Sequence, residues 1–374
     1  MRKACISKAR RIVIKVGSAV VTKETGRLDH KRLAAITEQI ADLKAEGNQV
    51  MLVTSGAIAA GLERLGSDER PSSIPELQAA ASVGQGLLLQ QYTGLFEERG
   101  IHVGQVLLTQ YDITHREHYL NATNTFEKLL DFGVVPIVNE NDTTVVEEIK
   151  FGDNDTLAAL VTNLTKADLL VIISDIEGLH TADPRKDGKA KLIAEVEDIT
   201  PEIEKLAGGA GSVFGSGGMI TKINAAKIVT LAGAGMLLID GRKANALTKA
   251  MRGDNIGTFF KPRGKKMASR KAWIAFGTVA KGTITIDDGA KDALIGKGRS
   301  LLPAGVIGVG EDFEDGDTVD VVDREGNVVA KGLVNLNSGD LVTIMGRSSD
   351  DIRKIKPELA GREVIHRDCL VILK

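Results

Sequence analysis

From Ile12 to about residue 260 the chain alternates short aliphatic, β-branched runs with helical patterns, and no other feature limits its fold as much. Ile12-Val13-Ile14-Lys15-Val16 reads as a buried strand. Leu33, Ile36, Ile40 and Leu43 then recur at helical spacing until Gly47 stops them. Val50–Val53 reads as a second strand, and Pro75 opens a long helix ending near Gly100. Val103–Thr109, Val134–Asn139, Leu169–Ser174 and Met236–Asp240 read as further strands, the last preceded by a helix over Met219–Ala234. Such β-α-β order predicts an α/β domain: a mainly parallel sheet sandwiched by helices, with ligands beyond the carboxyl ends of the strands. Aromatics make up only 3% of the chain, so its core must be aliphatic.

The pattern changes near the basic run Lys261–Lys266, which reads as a solvated linker. Beyond it Gly282–Asp287, Val306–Val309, Thr318–Val322 and Leu341–Met345 read as short strands of a small β-rich domain. At 374 residues the chain is too long for one typical core. The predicted domains are 1–262 and 263–374. A net charge of −2 gives no electrostatic reason to expect nucleic acid as the main partner. The second domain is equally balanced, with 16 Lys and Arg against 17 Asp and Glu over 266–374. No apolar run reaches the ~18 residues that span a bilayer. The stretch after the basic N-terminus is too short and interrupted for a signal peptide. Cys5 and Cys369 near opposite ends fit a reducing cytoplasm and offer no metal cluster.

Five polar clusters fall at strand ends or helix starts. Lys15-Val16-Gly17-Ser18 puts a cation and a close-approach turn after the first strand. Thr54-Ser55-Gly56-Ala57 serves equally as an anion site or a helix cap. Asn139-Glu140-Asn141-Asp142 suits a polar ligand or a solvated loop. In Gly152-Asp153-Asn154-Asp155, two acids go beyond what a helix cap needs. Gly215-Ser216-Gly217-Gly218 runs into a helix carrying Lys222 one turn in, without P-loop order but with the same means of cradling phosphate. Together they supply lysines, amide-rich turns and acids to one sheet edge, as phosphoryl transfer requires. A carboxylate acceptor is already ionised at pH 7, so the lack of an obvious histidine base is no objection. The acidic run Glu311–Asp317 departs from calcium-loop spacing and reads as a turn.

Taken in order, Lys15–Ser18, Val53–Gly61, Pro136–Asp142, Gly152–Asp155, Ser174-Asp175 with Gly178–Arg185, and Gly217–Lys222 resemble the motifs of the amino acid kinase family. Ser300–Val309 and Gly316–Val319 resemble a PUA domain. The resemblance covers essentially the whole chain. It implies a catalytic kinase domain followed by a PUA-like one, and transfer of a phosphoryl group from ATP, with Mg²⁺, to the side-chain carboxylate of L-glutamate at the start of proline biosynthesis. It further implies inhibition by proline and a homo-oligomer, a tetramer or a dimer. Carried over, Lys15 and Lys222 hold the phosphates and Asp155 orients them. Ser55, Asp142 and Asn154 bind glutamate, Asp142 through its ammonium. The nucleotide falls to Lys15, Gly17, Ser174, Asp175, Ser216, Gly217, Gly218, Met219, Ile220, Thr221 and Lys222, with backbone donors from Gly17 and the loop 216–221. Ser174 stands where members often carry Thr, and both offer a hydroxyl. Acetylglutamate kinase, aspartokinase, carbamate kinase and uridylate kinase share the fold and are the rival activities. RNA binding through the PUA-like domain is a rival of another class.

Overall fold

A computed structural model describes residues 2–67, 71, 73–109, 112–113, 116–143, 154–207, 218–263, 271, 274–275 and 278–373. The chain divides into two compact units, Met1–Met267 and Ala268–Lys374.

The first unit is built on an eight-stranded sheet. Its strands are β1 (Arg11–Val16), β2 (Gln49–Val53), β3 (Val103–Leu108), β4 (Val135–Glu140), β5 (Leu169–Ser174), β6 (Glu195–Val196), β7 (Gly235–Asp240) and β8 (Thr258–Phe260). They lie in the order β3-β4-β2-β1-β5-β7-β8-β6. The pairs from β3 through to β7 are parallel, and β8 turns antiparallel against β7. β1 pairs with β2 on one side and β5 on the other, so the chain order reverses there. That reversal opens a crevice at the carboxyl ends of β1 and β5, where ligands bind in open α/β sheets.

The helices that matter for function are α1 (His30–Ala45), α2 (Ala57–Leu65), α3 (Ile74–Glu97), α4 (Arg116–Asp131), α5 (Asn154–Leu164) and α6 (Met219–Leu231). α1 starts where the Asp29 carboxylate accepts the Arg32 amide at 3.1 Å. Its Leu33, Ile36 and Ile40 join Ile12, Ile14 and Val16 of β1 in one core cluster. Strand alternation puts Val13 and Lys15 on the opposite face of β1. That face is covered by α5, which packs on β1 and β5, and by α6, which packs on α5 and β7. Lys15, set within the apolar run of this strand, therefore points toward the helices that carry Asp155 and Lys222.

α2 and α3 cross with almost no space between their backbones. A β-carbon at Gly61 would lie 1.8 Å from the Ala80 carbonyl oxygen. One at Gly84 would lie 1.8 Å from the Ala57 oxygen and 2.4 Å from the Gly61 nitrogen. This contact draws α3 against the turn that precedes α2.

The second unit holds β9 (Gly282–Ile286), β10 (Val306–Gly310), β11 (Thr318–Val322), β12 (Val328–Leu333) and β13 (Leu370–Ile372), ordered β10-β9-β11-β12-β13. The run Leu341–Met345, expected as a strand, instead forms the end of a helix, α7 (Ser338–Ile344), with Met345 as its C-cap. The Asn337 side chain accepts the Asp340 amide at 2.8 Å, and the buried Leu341 and Ile344 stand three residues apart. A cap and a helical spacing thus outweigh β-branched composition. The acidic run Glu311–Asp317 turns between β10 and β11, with Gly316 at φ +89°.

Two glycines of α3 give opposite expectations. Gly84→Ala should destabilise the protein by about 1–3 kcal/mol, because neither backbone can yield. Gly94→Ala, where nothing lies within 4 Å of the new carbon, should stabilise it by about 0.5–1 kcal/mol. Urea unfolding midpoints of the two variants check both signs.

Candidate active site

The end of β1 and the first turns of α5 and α6 bring three charges together. Lys15 Nζ lies 2.6 Å from Asp155 Oδ1, and Lys222 Nζ lies 3.1 Å from Asp155 Oδ2. All three are buried: Asp155 is 0% exposed, Lys222 4% and Lys15 7%. Burial alone pushes the Asp155 carboxyl up, but the charges and hydrogen bonds of the two lysines outweigh it and hold it below its ordinary value. The Thr221 hydroxyl, 2.9 Å from Asp155 Oδ2 and 2.7 Å from the Gly218 carbonyl, ties the start of α6 to the same carboxylate. The three charged groups sum to one positive charge, the sign a transferring phosphoryl group needs.

Gly17 plays a different part from the one expected. Its amide donates to the Ile173 carbonyl at 3.0 Å, continuing the β1–β5 ladder, so it is not available to a phosphate. What the missing side chain leaves is room: a β-carbon there would lie 3.8 Å from Lys15 Nζ. Ser174 and Asp175 follow at the end of β5, the hydroxyl donating to Asp175 Oδ1 at 3.1 Å. Gly218 caps α6, and Met219, Ile220 and Thr221 begin it. Ser216 and Gly217 lie outside the described residues, as do Phe151, Gly152 and Asp153.

A second polar group adjoins through Asn154, the residue before Asp155. Its Nδ2 lies 2.6 Å from the Thr54 carbonyl, 3.0 Å from Ser55 Oγ and 2.9 Å from Asn139 Oδ1. Ser55 and Asn154 are thus in direct contact. Asp142 stands apart from that contact, in a cleft of about 270 Å³ that it lines with Ser82, Gln85, Gln105 and Glu140.

Several residues that support this group carry no local signal of that role. Asn139 was legible only as one of four polar residues at a strand end. In the fold its Nδ2 also donates to Gln85 Oε1 at 3.1 Å. The Tyr92 and Thr54 hydroxyls, both buried, lie 2.8 Å apart. Burial pushes the Tyr92 phenol up to about 12, so it remains a neutral partner. Gln85 and Tyr92 sit within an apolar-looking helix, and only the α2–α3 crossing brings them to the site. Asp240 at the end of β7 holds Arg242 with two bonds of 2.9 and 3.0 Å, an arrangement a strand-end Asp-Gly-Arg could have suggested.

Among the described residues no three acids, histidines or cysteines converge on one point. Both Asp155 oxygens already face ammonium groups. The donor set therefore does not form a protein cage for a divalent cation.

The amino acid kinase family model matches residues 10–239, and the PUA domain model matches residues 282–356. The chain belongs to the amino acid kinase family. Relatives along its full length include glutamate 5-kinases. That of Syntrophotalea carbinolica is 47% identical over 374 residues, covering 100% of both chains. That of Nitrosospira multiformis is 48% identical over 368 residues, covering 98% of this chain and 99% of its own. That of Geobacter sulfurreducens is 47% identical over 373 residues, covering 100% of both. A solved UMP kinase from Bacillus anthracis superposes on 68% of this chain and 97% of its own, at 15% identity and a TM-score of 0.47.

The lowered Asp155 pKa fixes the sign of a pH effect. The fold favours the ionised carboxylate, so its stabilisation is complete above the ordinary value of 3.8 and drains away as pH falls through the lower folded value. Asp155→Asn should cost about 3–5 kcal/mol at pH 7, because two buried ammonium groups lose their partner. Urea midpoints measured from pH 7 to pH 3 should fall less steeply for this variant than for the unaltered protein.

Proposed function

We infer that the protein transfers the γ-phosphoryl group of ATP to the side-chain carboxylate of L-glutamate, giving ADP and L-glutamyl 5-phosphate, the first step of proline biosynthesis. The observation that carries this reading is the buried Lys15–Asp155–Lys222 set, joined to Ser55 through Asn154, in a chain akin to glutamate 5-kinases from end to end.

In this reading the γ-carboxylate oxygen attacks the γ-phosphorus, and the bond to the β,γ-bridging oxygen breaks, its electron pair leaving with ADP. No proton has to move, because the acceptor is already ionised. Lys15 and Lys222 offset the negative charge of the transferring group, and Asp155 holds their ammonium groups in place before the substrate arrives. Ser55 and Asn154 position the acceptor, and Asp142 meets the ammonium of glutamate. Ser174, Asp175, Ser216, Gly217, Gly218 and the start of α6, from Met219 to Lys222, receive the nucleotide. Mg²⁺ would arrive with the phosphates of ATP and would offset part of their charge.

The reading extends to the rest of the chain. Residues 1–262 form the catalytic domain and 263–374 the PUA-like one, the latter serving regulation or assembly. Proline inhibits, the chain forms a homo-oligomer, a tetramer or dimer, and it works in the cytoplasm. Among the described residues no helix is long and apolar enough to cross a membrane, and both cysteines are free.

Hydroxylamine traps acyl phosphates, so the test is hydroxamate formation from ATP, Mg²⁺ and a panel of acidic amino acids. Glutamate alone should yield hydroxamate, and added proline should suppress it. Product from N-acetylglutamate or aspartate instead would move the specificity. Lys222→Ala should lower kcat by about 10²–10³. The fold should survive, because Asp155 keeps Lys15 as its partner. A kcat within tenfold of the unaltered protein would remove Lys222 from its assigned role.

A further inference from the structure

The amide groups around Asn139 can be oriented by one fixed point. The backbone N–H of Glu140 can only donate, and it lies 3.0 Å from one end of the Asn139 side chain. That end must therefore be the oxygen. The same oxygen receives Asn154 Nδ2 at 2.9 Å. The other end of Asn139 is then its NH₂ group, which needs an acceptor. One end of the Gln85 amide lies 3.1 Å away and takes that role, so it must be Oε1. The chain of logic ends on Gln85 Nε2, a donor with two hydrogens and no acceptor among the described residues.

Where that donor stands gives it a use. Gln85 lines the cleft of about 270 Å³, together with Glu140 and Asp142. Otherwise the charged groups of that lining are carboxylates, which attract an ammonium and repel an anion. Gln85 is a neutral donor on the same wall. A ligand carrying an ammonium and a carboxylate on one carbon can satisfy both. The order of the contacts sets direction. Lys222 and Lys15 meet Asp155, and its neighbour Asn154 leads through Asn139 to Gln85. Gln85 thus stands at the far end from the phosphoryl group, where the α-carbon of an amino acid substrate falls when its side chain reaches toward the lysines.

We propose that Gln85 is a specificity-determining residue: its Nε2 donates to the α-carboxylate of the amino acid acceptor, and Asn139 is the positioning residue that fixes this orientation. The proposal rests on the acceptor being glutamate phosphorylated at its side chain. It adds that the free α-carboxylate is read by a neutral amide whose direction is set by the Glu140 backbone.

The test exploits the two ends of that amide. Gln85→Glu keeps an oxygen for Asn139 and replaces the donor by a second, charged oxygen. L-glutamate should then bind at least tenfold more weakly, read as KM, while kcat and KM for ATP change less than threefold. L-glutamic acid α-amide keeps the side-chain carboxylate but offers an NH₂ donor where glutamate has its α-carboxylate. The unaltered protein should prefer glutamate to this amide. Gln85→Glu should shrink that ratio of kcat/KM by about a hundredfold, the scale of losing one hydrogen bond to a charged group. A merely structural role of Gln85 would lower activity on both substrates alike and leave the ratio where it was. Gln85→Met, which keeps the length and removes both polar ends, is the second variant. It should raise KM for glutamate without favouring the α-amide. An unchanged ratio in Gln85→Glu, or an unchanged KM in Gln85→Met, overturns the proposal. Failure of the unaltered protein to form hydroxamate from glutamate overturns the underlying activity as well, and so separates the two failures.

Discussion

Everything at the sheet's carboxyl edge depends on one buried carboxylate. Asp155 has no solvent contact, yet it is paired on both oxygens with lysines from two distant parts of the chain. An isolated ion at that depth would be too costly to keep. The lysines offset that cost, and the carboxylate in turn faces both of their side chains out of water. Because breaking such a set leaves uncompensated charge, its geometry is nearly all-or-none. It fixes the end of β1, the start of α5 and the start of α6 against one another. The crevice between β1 and β5 therefore has a rigid, positively charged floor before any ligand enters.

The second constraint is steric. α2 and α3 touch backbone to backbone at Gly61 and Gly84, closer than any side chain allows. Through that contact a helix with an apolar, glycine- and alanine-rich sequence delivers Tyr92 to Thr54 and Gln85 to Asn139. The turn carrying Ser55 is thus held from two sides, by Asn154 of α5 and by the hydroxyl of Tyr92. Charge organises the lysine end of the candidate site, and close packing with amide hydrogen bonds organises the other. Each suits the task proposed for it, since an anion needs fixed cations and a small zwitterion needs directed donors and acceptors.

Periodicity was a good guide where one residue pattern has one reading. The buried strands β1, β2, β4, β5 and β7 stand out as aliphatic runs because both of their faces are covered. α1 stands out because its apolar residues recur every three or four positions. The guide failed at Leu341–Met345, where five residues fit either period and a cap at Asn337 decided for helix. It failed differently at Gly17. The sequence marks a glycine after a strand, but not whether its amide faces a ligand or the neighbouring strand. Here the Ile173 carbonyl takes it.

The sequence by itself determined the alternating architecture, the place where it gives way to a β-rich unit, and the charged or polar residue at each element's end. Those are local properties, set by the order of apolar and polar side chains along a few turns or strands. Only the tertiary structure decided that Lys15, Asp155 and Lys222 share one carboxylate, and that Gln85 and Tyr92 belong to the site. The reason is physical. Lys15 and Lys222 are more than two hundred residues apart in the chain. Their meeting depends on which face of β1 the helices cover and on how closely two helices can cross. Both are settled by packing across the whole core, which no local window of sequence contains.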